Sequence, residues 1–297
     1  MPMLKAGSQL LGGGRLAVPV PTLGAELLVN GDFETGDPPT GWSTASGATL
    51  DGIAESRPGS TGVQAMYIAR NTNESAAFKS AGATSAWVLG SCWTKNVDAT
   101  NIYIQLANTV ASAFSGNNNT TSWVQVFAVD RGNGGAPSVR LGVAGTAGKI
   151  GKFDDCSVKP ITLASMFSTR PYSTHMTTKA QATVIAGTRA GVVCNLDSAS
   201  APANGILASV DGSVARMTKL VAGTYTELVS QSVTYVAGSF VEVRRAAGTN
   251  DFTLYYNGSA VGSAQTVNDA GIISNVLHGY LNTYAGNVVT GFSCVPS

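Results

Sequence analysis

Two dipeptides constrain this chain more than any other feature. Asp211-Gly212 and Asn257-Gly258 each sit between runs of strand length. Such pairs supply the positive-φ backbone that a tight β-hairpin demands. Similar runs recur along the chain. In the first half they are Gln64–Arg70, Trp87–Thr94, Asn101–Asn108, Trp123–Asp130 and Ser138–Val143. In the second half they are Gln181–Ala186, Gly191–Leu196, Ile206–Val210, Val214–Lys219, Val241–Arg245, Phe252–Tyr256 and Val276–Leu281. No segment sustains a 3.6-residue period between caps, so helices have no claim. Short strands at regular spacing predict an all-β chain built from sandwiches. At 297 residues there is room for two, taking about 100–200 residues per domain.

Charge divides the chain into three parts. Residues 1–25 hold Lys5 and Arg15 and no acid. Residues 26–162 hold eleven acids and nine bases, and residues 163–297 hold six and seven. The sum is a net charge of +1, with no basic surplus to attract a phosphate backbone, so nucleic acid is excluded as a partner. Membrane insertion is also excluded, because Gly, Ser, Thr and Asn break every uncharged stretch before it reaches the roughly 20 apolar residues of a span. Gly12 to Gly14 interrupt the place where a leader's apolar region would run, so residues 1–25 read as a retained, extended arm. Val18-Pro19-Val20-Pro21 favours extended backbone there. The arm is either disordered or laid on another surface. As an anchor, Leu10, Leu11, Leu16, Val18 and Val20 would supply buried apolar area and Arg15 would meet an acid on the partner. Cys92, Cys156, Cys194 and Cys294 are too sparse for a disulfide scaffold and lack zinc spacing. Bridges 92–156 and 194–294 compete with four small buried thiols.

Catalysis has little to build on. The two histidines are His175 and His278, and neither lies in a hydrolase or metalloprotease motif. The scattered acids of the second half form no visible glycosidase pair. The chain therefore reads as a non-enzyme.

One constellation is specific. Asn30-Gly31-Asp32-Phe33-Glu34 is followed by Gly41-Trp42, and Asp154-Asp155-Cys156-Ser157-Val158 lies about 120 residues on. The pairing resembles the opening and closing strands of carbohydrate-binding modules of the family 4, 9 and 22 group. The resemblance spans residues 26–162 and implies a jelly-roll sandwich. It also implies a structural Ca²⁺, whose carried-over ligands are Asp32, Glu34, Asp154 and Asp155. Calcium takes six to eight oxygens, and four carboxylates brought together would repel unless neutralised. The competing reading is that these acids cap turns or pair with Lys149 and Lys152. A sugar site needs an aromatic platform rimmed by polar groups. Trp42, Trp93 and Trp123 are assigned to core packing, which leaves Tyr67, Trp87 and Tyr103 as candidates.

Ser232–Gly238, Phe252–Gly258 and His278-Gly279-Tyr280 resemble concanavalin A-like lectin and laminin-G jelly rolls. That resemblance covers the second half and implies no metal or sugar residue there. The expected architecture is thus an arm (1–25) and two tandem jelly-roll sandwiches (26–162 and 163–297). Such chains look like bacteriophage capsid-decoration or tail-fibre proteins. The analogy implies a location on the virion surface, capsid or tail proteins and further copies of the chain as partners, and a cell-surface glycan as the target. The alternative is a secreted, extracellular bacterial carbohydrate-binding protein or the accessory part of a polysaccharide-degrading enzyme.

Overall fold

The computed structural model describes residues 16–45, 48–71, 75–110 and 118–297. The chain is all-β and forms two tandem sandwiches. The first contains β1 (Ser43–Ala45), β2 (Thr49–Ile53), β3 (Ala65–Ala69), β4 (Ser75–Ser80), β5 (Trp87–Asn96), β6 (Asn101–Ala107), β7 (Val124–Arg131), β8 (Ser138–Ala144) and β9 (Ile150–Ile161). These make two antiparallel sheets, β2-β3-β9-β5-β7 and β1-β4-β8-β6. Phe33, Met66, Ile68, Ile102, Leu141 and Phe153 fill the space between them.

A short 3-10 turn, Leu163–Met166, leads to the second sandwich. Its strands are β10 (Phe167–Pro171), β11 (Met176–Thr183), β12 (Ala190–Leu196), β13 (Gly205–Val210), β14 (Val214–Val221), β15 (Thr224–Ser232), β16 (Ser239–Arg245), β17 (Asp251–Tyr256), β18 (Ser259–Thr266), β19 (Leu277–Asn282) and β20 (Val288–Pro296). A single helical turn, α1 (Ala270–Ile273), precedes β19. The sheets are β10-β19-β12-β13-β14-β15 and β18-β17-β16-β11-β20. The Asn257-Gly258 hairpin is a two-residue loop with both φ values positive, at 47° and 84°. No helix among the described residues is long and apolar enough to cross a membrane.

The opening motif folds as a clasp on β9. Asn30 holds the turn through both side-chain atoms, bonding Thr35 and the Thr40 carbonyl. Trp42 closes it by donating from Nε1 to the Asn30 carbonyl at 3.0 Å and packing on Phe33. Gly31 is required because the Cys156 backbone lies against it: a Cβ there would fall 1.9 Å from the Cys156 carbonyl oxygen. Cys156 N–H in turn donates to the Gly31 carbonyl at 2.7 Å. The two sequence motifs are therefore one contact, locked further by the Cys92–Cys156 disulfide between β5 and β9. Cys194 and Cys294 remain free thiols.

The sandwiches share a third core. Strands β12 and β13 are buried at every residue, because one face serves their own sandwich and the other faces the first domain. Val193, Leu196, Leu207 and Leu281 pack there against Trp87, Leu89, Phe127, Val129 and Ile161. Polar groups reinforce the joint. Arg189 lies over the Trp87 ring and 3.7 Å from Asp130, and Arg131 lies over Tyr225.

The described part of the arm lies on its own chain. Leu10, Leu11 and Arg15 lie outside the described residues. Leu16 packs against the core of the second sandwich. The Pro19 carbonyl accepts a hydrogen bond from Asn282 Nδ2, and Leu23 bridges to Ile161. Thr22 and Gly24 exchange backbone bonds with Thr162 and Pro160. Val18 and Val20 are exposed, Val20 by 66%. This stretch is laid on its own chain, pairing with the end of β9 that lies beyond the β3–β9 ladder, which covers only Ile150–Phe153.

Candidate functional site

The outer face of sheet β2-β3-β9-β5-β7 carries a cleft. Alternation along β5 aims Trp87, Leu89, Ser91, Trp93 and Lys95 outward. Pairing of β5 with β9 and β7 then sets up successive rows. Lys159, Leu89 and Val129 form one row, and Ser157, Ser91 and Phe127 the next. Trp93 and Gln125 form the third, where the register partner of Trp93 on β9 is Asp154. The second sandwich covers the Trp87 end of this face. At the border a cleft of about 440 Å³ stays open. Its walls are Arg57, Gly59 and Thr61 of the β2–β3 loop, Leu23 of the arm, and Tyr284 of the second sandwich. Tyr284 is fixed against Phe127, ring centres 4.7 Å apart.

A bulge in β9 builds the charged end. The β5–β9 register slips between Ser91 and Trp93, and Asp155 adopts a φ of 46°. A bulge re-aims successive side chains: here Asp154 turns into the interior and Asp155 turns out to the cleft. Asp155 binds the Arg57 guanidinium at 2.6 and 2.7 Å. Asp154 accepts the backbone N–H groups of Arg57 and Asp155, each at 2.8 Å. Burial raises the Asp154 carboxyl to about 6 against those two bonds. Arg57 is thus fixed at backbone and tip, with its guanidinium carbon 4.7 Å from the centre of the Trp93 ring. Glu55 ties the same loop to Lys95 and Lys152, and those hydrogen bonds hold its carboxyl below the ordinary range.

The carried-over calcium ligands do not converge. Asp154 and Asp155 are adjacent but spent on Arg57, and Glu34 Oε1 accepts the N–H groups of Val63 and Gln64 at 2.9 and 2.8 Å. Asp32 interacts electrostatically with Lys79. No group of three or more His, Cys, Asp or Glu side chains comes together among the described residues. N–H groups and a guanidinium occupy both oxygens of Asp154 and one oxygen each of Glu34 and Asp155.

The aromatic candidates also separate. Trp87 is 8% exposed and edge-on to Tyr225 beneath the second sandwich, outside this cleft. Tyr67 shares the outer face, opposite Lys152 on β9, but lies outside the cleft. Tyr103 stands on the other sheet with its ring over Gly142 of β8. Trp93, assigned to the core, is half-buried and lines the cleft. One signal identifies it in sequence: Lys95 shares its parity on β5, and a lysine marks the solvent side of a strand. His278 is fully buried between Thr178 and the Ser173 carbonyl. Burial lowers it to about 4, which makes it a neutral structural group.

No protein-family model matches the chain, and no curated protein matches it. Solved structures similar to it include carbohydrate-binding modules. The CBM22-1-CBM22-2 tandem domain of Paenibacillus barcinonensis Xyn10C is 10% identical with a TM-score of 0.37, covering 95% of this chain and 99% of that one. The CBM22-1 xylan-binding domain of the same enzyme is 15% identical with a TM-score of 0.37, covering 48% and 97%. TmCBM61, solved with β-1,4-galactotriose, is 16% identical with a TM-score of 0.39, covering 46% and 99%.

Proposed function

We propose that the cleft at the domain border binds an oligosaccharide without turning it over. One observation carries this reading: a half-buried tryptophan on a rigid sheet, ringed by Gln125, Ser91, Ser157 and Lys159. A sugar ring offers an apolar face to an aromatic and hydroxyls to a polar rim, and this cleft supplies both. Asp155 is the one carboxylate lining it, and Arg57 holds that group. Glycoside hydrolysis uses a pair of carboxyl groups, one of them free to give a proton, so the inventory favours binding alone.

A glycan array probed with the full chain tests the reading. Binding is expected, and Trp93→Ala and Gln125→Ala should each abolish or weaken it while melting normally. An array with no bound glycan, or unchanged binding by both variants, overturns it. The setting we propose is attachment at a virion surface, with secretion as the alternative. The chain's presence in purified particles by mass spectrometry supports the first, and its presence only in cell-free supernatant supports the second.

A further inference from the structure

We infer that the cleft is built for an acidic oligosaccharide, with an anionic substituent seated on Lys159; this rests on the glycan-binding reading above. Two cations line the cleft, Arg57 and Lys159. They differ in what they face. Arg57 is neutralised by Asp155 through two bonds to one oxygen. The Lys159 ammonium has no ion-pair or hydrogen-bond partner among the described residues.

Among the described residues no acid pairs with Lys159: Asp155 on its own strand is bound by Arg57, and Glu26, just past the arm, is held by neutral donors. Glu26 is the nearest by sequence contact, since its Oε2 accepts Ser157 Oγ at 2.5 Å. Its Oε1 accepts the N–H groups of Leu28 and Val158. The other lysines of this outer face, Lys95 and Lys152, share Glu55. Lys159 is thus the one cation of the cleft left uncompensated, so the lining carries a net charge of +1 from Arg57, Lys159 and Asp155.

Position strengthens the charge. Lys159 is opposite Leu89 in the β5–β9 register, in the row nearest the second sandwich. Leu23 and Tyr284 wall the same end. Apolar walls reduce the water around the ammonium and strengthen a charge-assisted bond to a carboxylate or sulfate. An acidic ring lying with its face toward Trp93 at one end would reach Lys159 with the substituent of a following unit.

The full chain should be titrated by calorimetry with three probes: a neutral oligogalactose, an oligogalacturonate of equal length, and a sulfated oligogalactose. Tighter binding of an anionic probe by about tenfold, equivalent to about 1.4 kcal/mol, and weakening of that probe alone by salt, are expected. Lys159→Gln should erase the difference and Lys159→Arg should restore it, with unchanged melting. Preference for the oligogalacturonate assigns a carboxylate, and preference for the sulfated probe assigns a sulfate. Equal binding of neutral and acidic probes overturns the inference and leaves the glycan-binding reading standing. A Lys159→Gln chain that keeps the acidic preference also overturns it. Failure of every glycan on the array overturns both.

Discussion

Replacing Asp130 by Asn isolates one charge at the joint between the sandwiches. Asp130 is 2% exposed and Arg189 7%, and they stand 3.7 Å apart. At that separation the attraction is about 4 kcal/mol for an effective dielectric near 20. The substitution can keep two hydrogen bonds of this side chain. Asp130 Oδ1 accepts Arg131 N–H, and Oδ2 accepts Thr109 Oγ1. An Asn oxygen replaces the first, and its amide can donate to Thr109 Oγ1, which retains the Leu106 carbonyl as its acceptor. What is lost is the negative charge facing a guanidinium that burial already penalises. Removing one partner of a buried pair costs about 3–5 kcal/mol. Asp130→Asn should therefore lower the melting temperature by roughly 6–10 °C. Adding Arg189→Met should recover much of the loss, since an apolar side chain can occupy the space beside Trp87 without an unpaired charge. Scanning calorimetry of the wild type, both single variants and the double variant checks this. A single Asp130→Asn effect below about 0.5 kcal/mol, the range of ordinary surface changes, refutes the reasoning.

Removing the disulfide by Cys92→Ala with Cys156→Ala opens a 64-residue loop and should cost up to roughly 4 kcal/mol in chain entropy, read from urea midpoints. Deleting residues 1–22 should lower the melting temperature by several degrees, because Leu16 and the Pro19 carbonyl leave partners exposed; an unchanged melt would show that the arm contributes nothing to the joint. The pH dependence should show two opposed titrations. Asp154, raised to about 6 in the folded chain, keeps a proton there that the unfolded chain has released, so its contribution falls as pH rises from about 4 to 6. His278, lowered to about 4, is neutral in the folded chain while the unfolded chain binds a proton, so its contribution falls as pH drops from about 6.5 to 4. His278→Gln should make the urea midpoint rise relative to wild type on acidification through this window; identical pH profiles would overturn the assignment.

Strands with a strong apolar pattern were legible, edge strands β6 and β7 among them, and weakly patterned strands were not. The sequence reading places strands at Trp87–Thr94, Gly191–Leu196 and Phe252–Tyr256, where β5, β12 and β17 stand. It assigns nothing to β15, β18 or β20, all of which lie at the ends of their sheets. Strand β18 reads Ser-Ala-Val-Gly-Ser-Ala-Gln-Thr and buries one residue, Val261. An edge strand is held by backbone bonds on one side and buries little, so the hydrophobic pattern that marks a strand is weak in it. The β11 run was displaced toward its C-terminal end because Met176–Thr183 is rich in threonine and alanine, which give a weak apolar pattern even in a strand paired on both sides.

The site was half legible, and Trp87 and Trp93 show why. Both share one parity on β5 with Leu89, Ser91 and Lys95, so a single strand pattern places them on the same face. Lys95 identifies that face as outward, which makes Trp93 a surface aromatic. By that logic Trp87 is outward too. It is buried because the second sandwich lies on it, and nothing in strand alternation announces a neighbouring domain. The composition of the face does carry the boundary. From Trp87 to Lys95, β5 grades from apolar to charged, and β9 turns from apolar Ile161 to polar and charged Lys159, Ser157 and Asp155. The apolar end gains most from being covered, at about 25 cal/mol per Å² of buried area, and the charged end would lose hydration. Docking therefore stops where the gradient turns polar, and the cleft opens there with Tyr284 from one sandwich and Trp93 from the other at its two ends. Interdomain packing and ligand recognition are consequences of one gradient on one sheet, so substitutions that loosen the joint at Asp130 or Trp87 should also displace Tyr284 and weaken binding in the cleft.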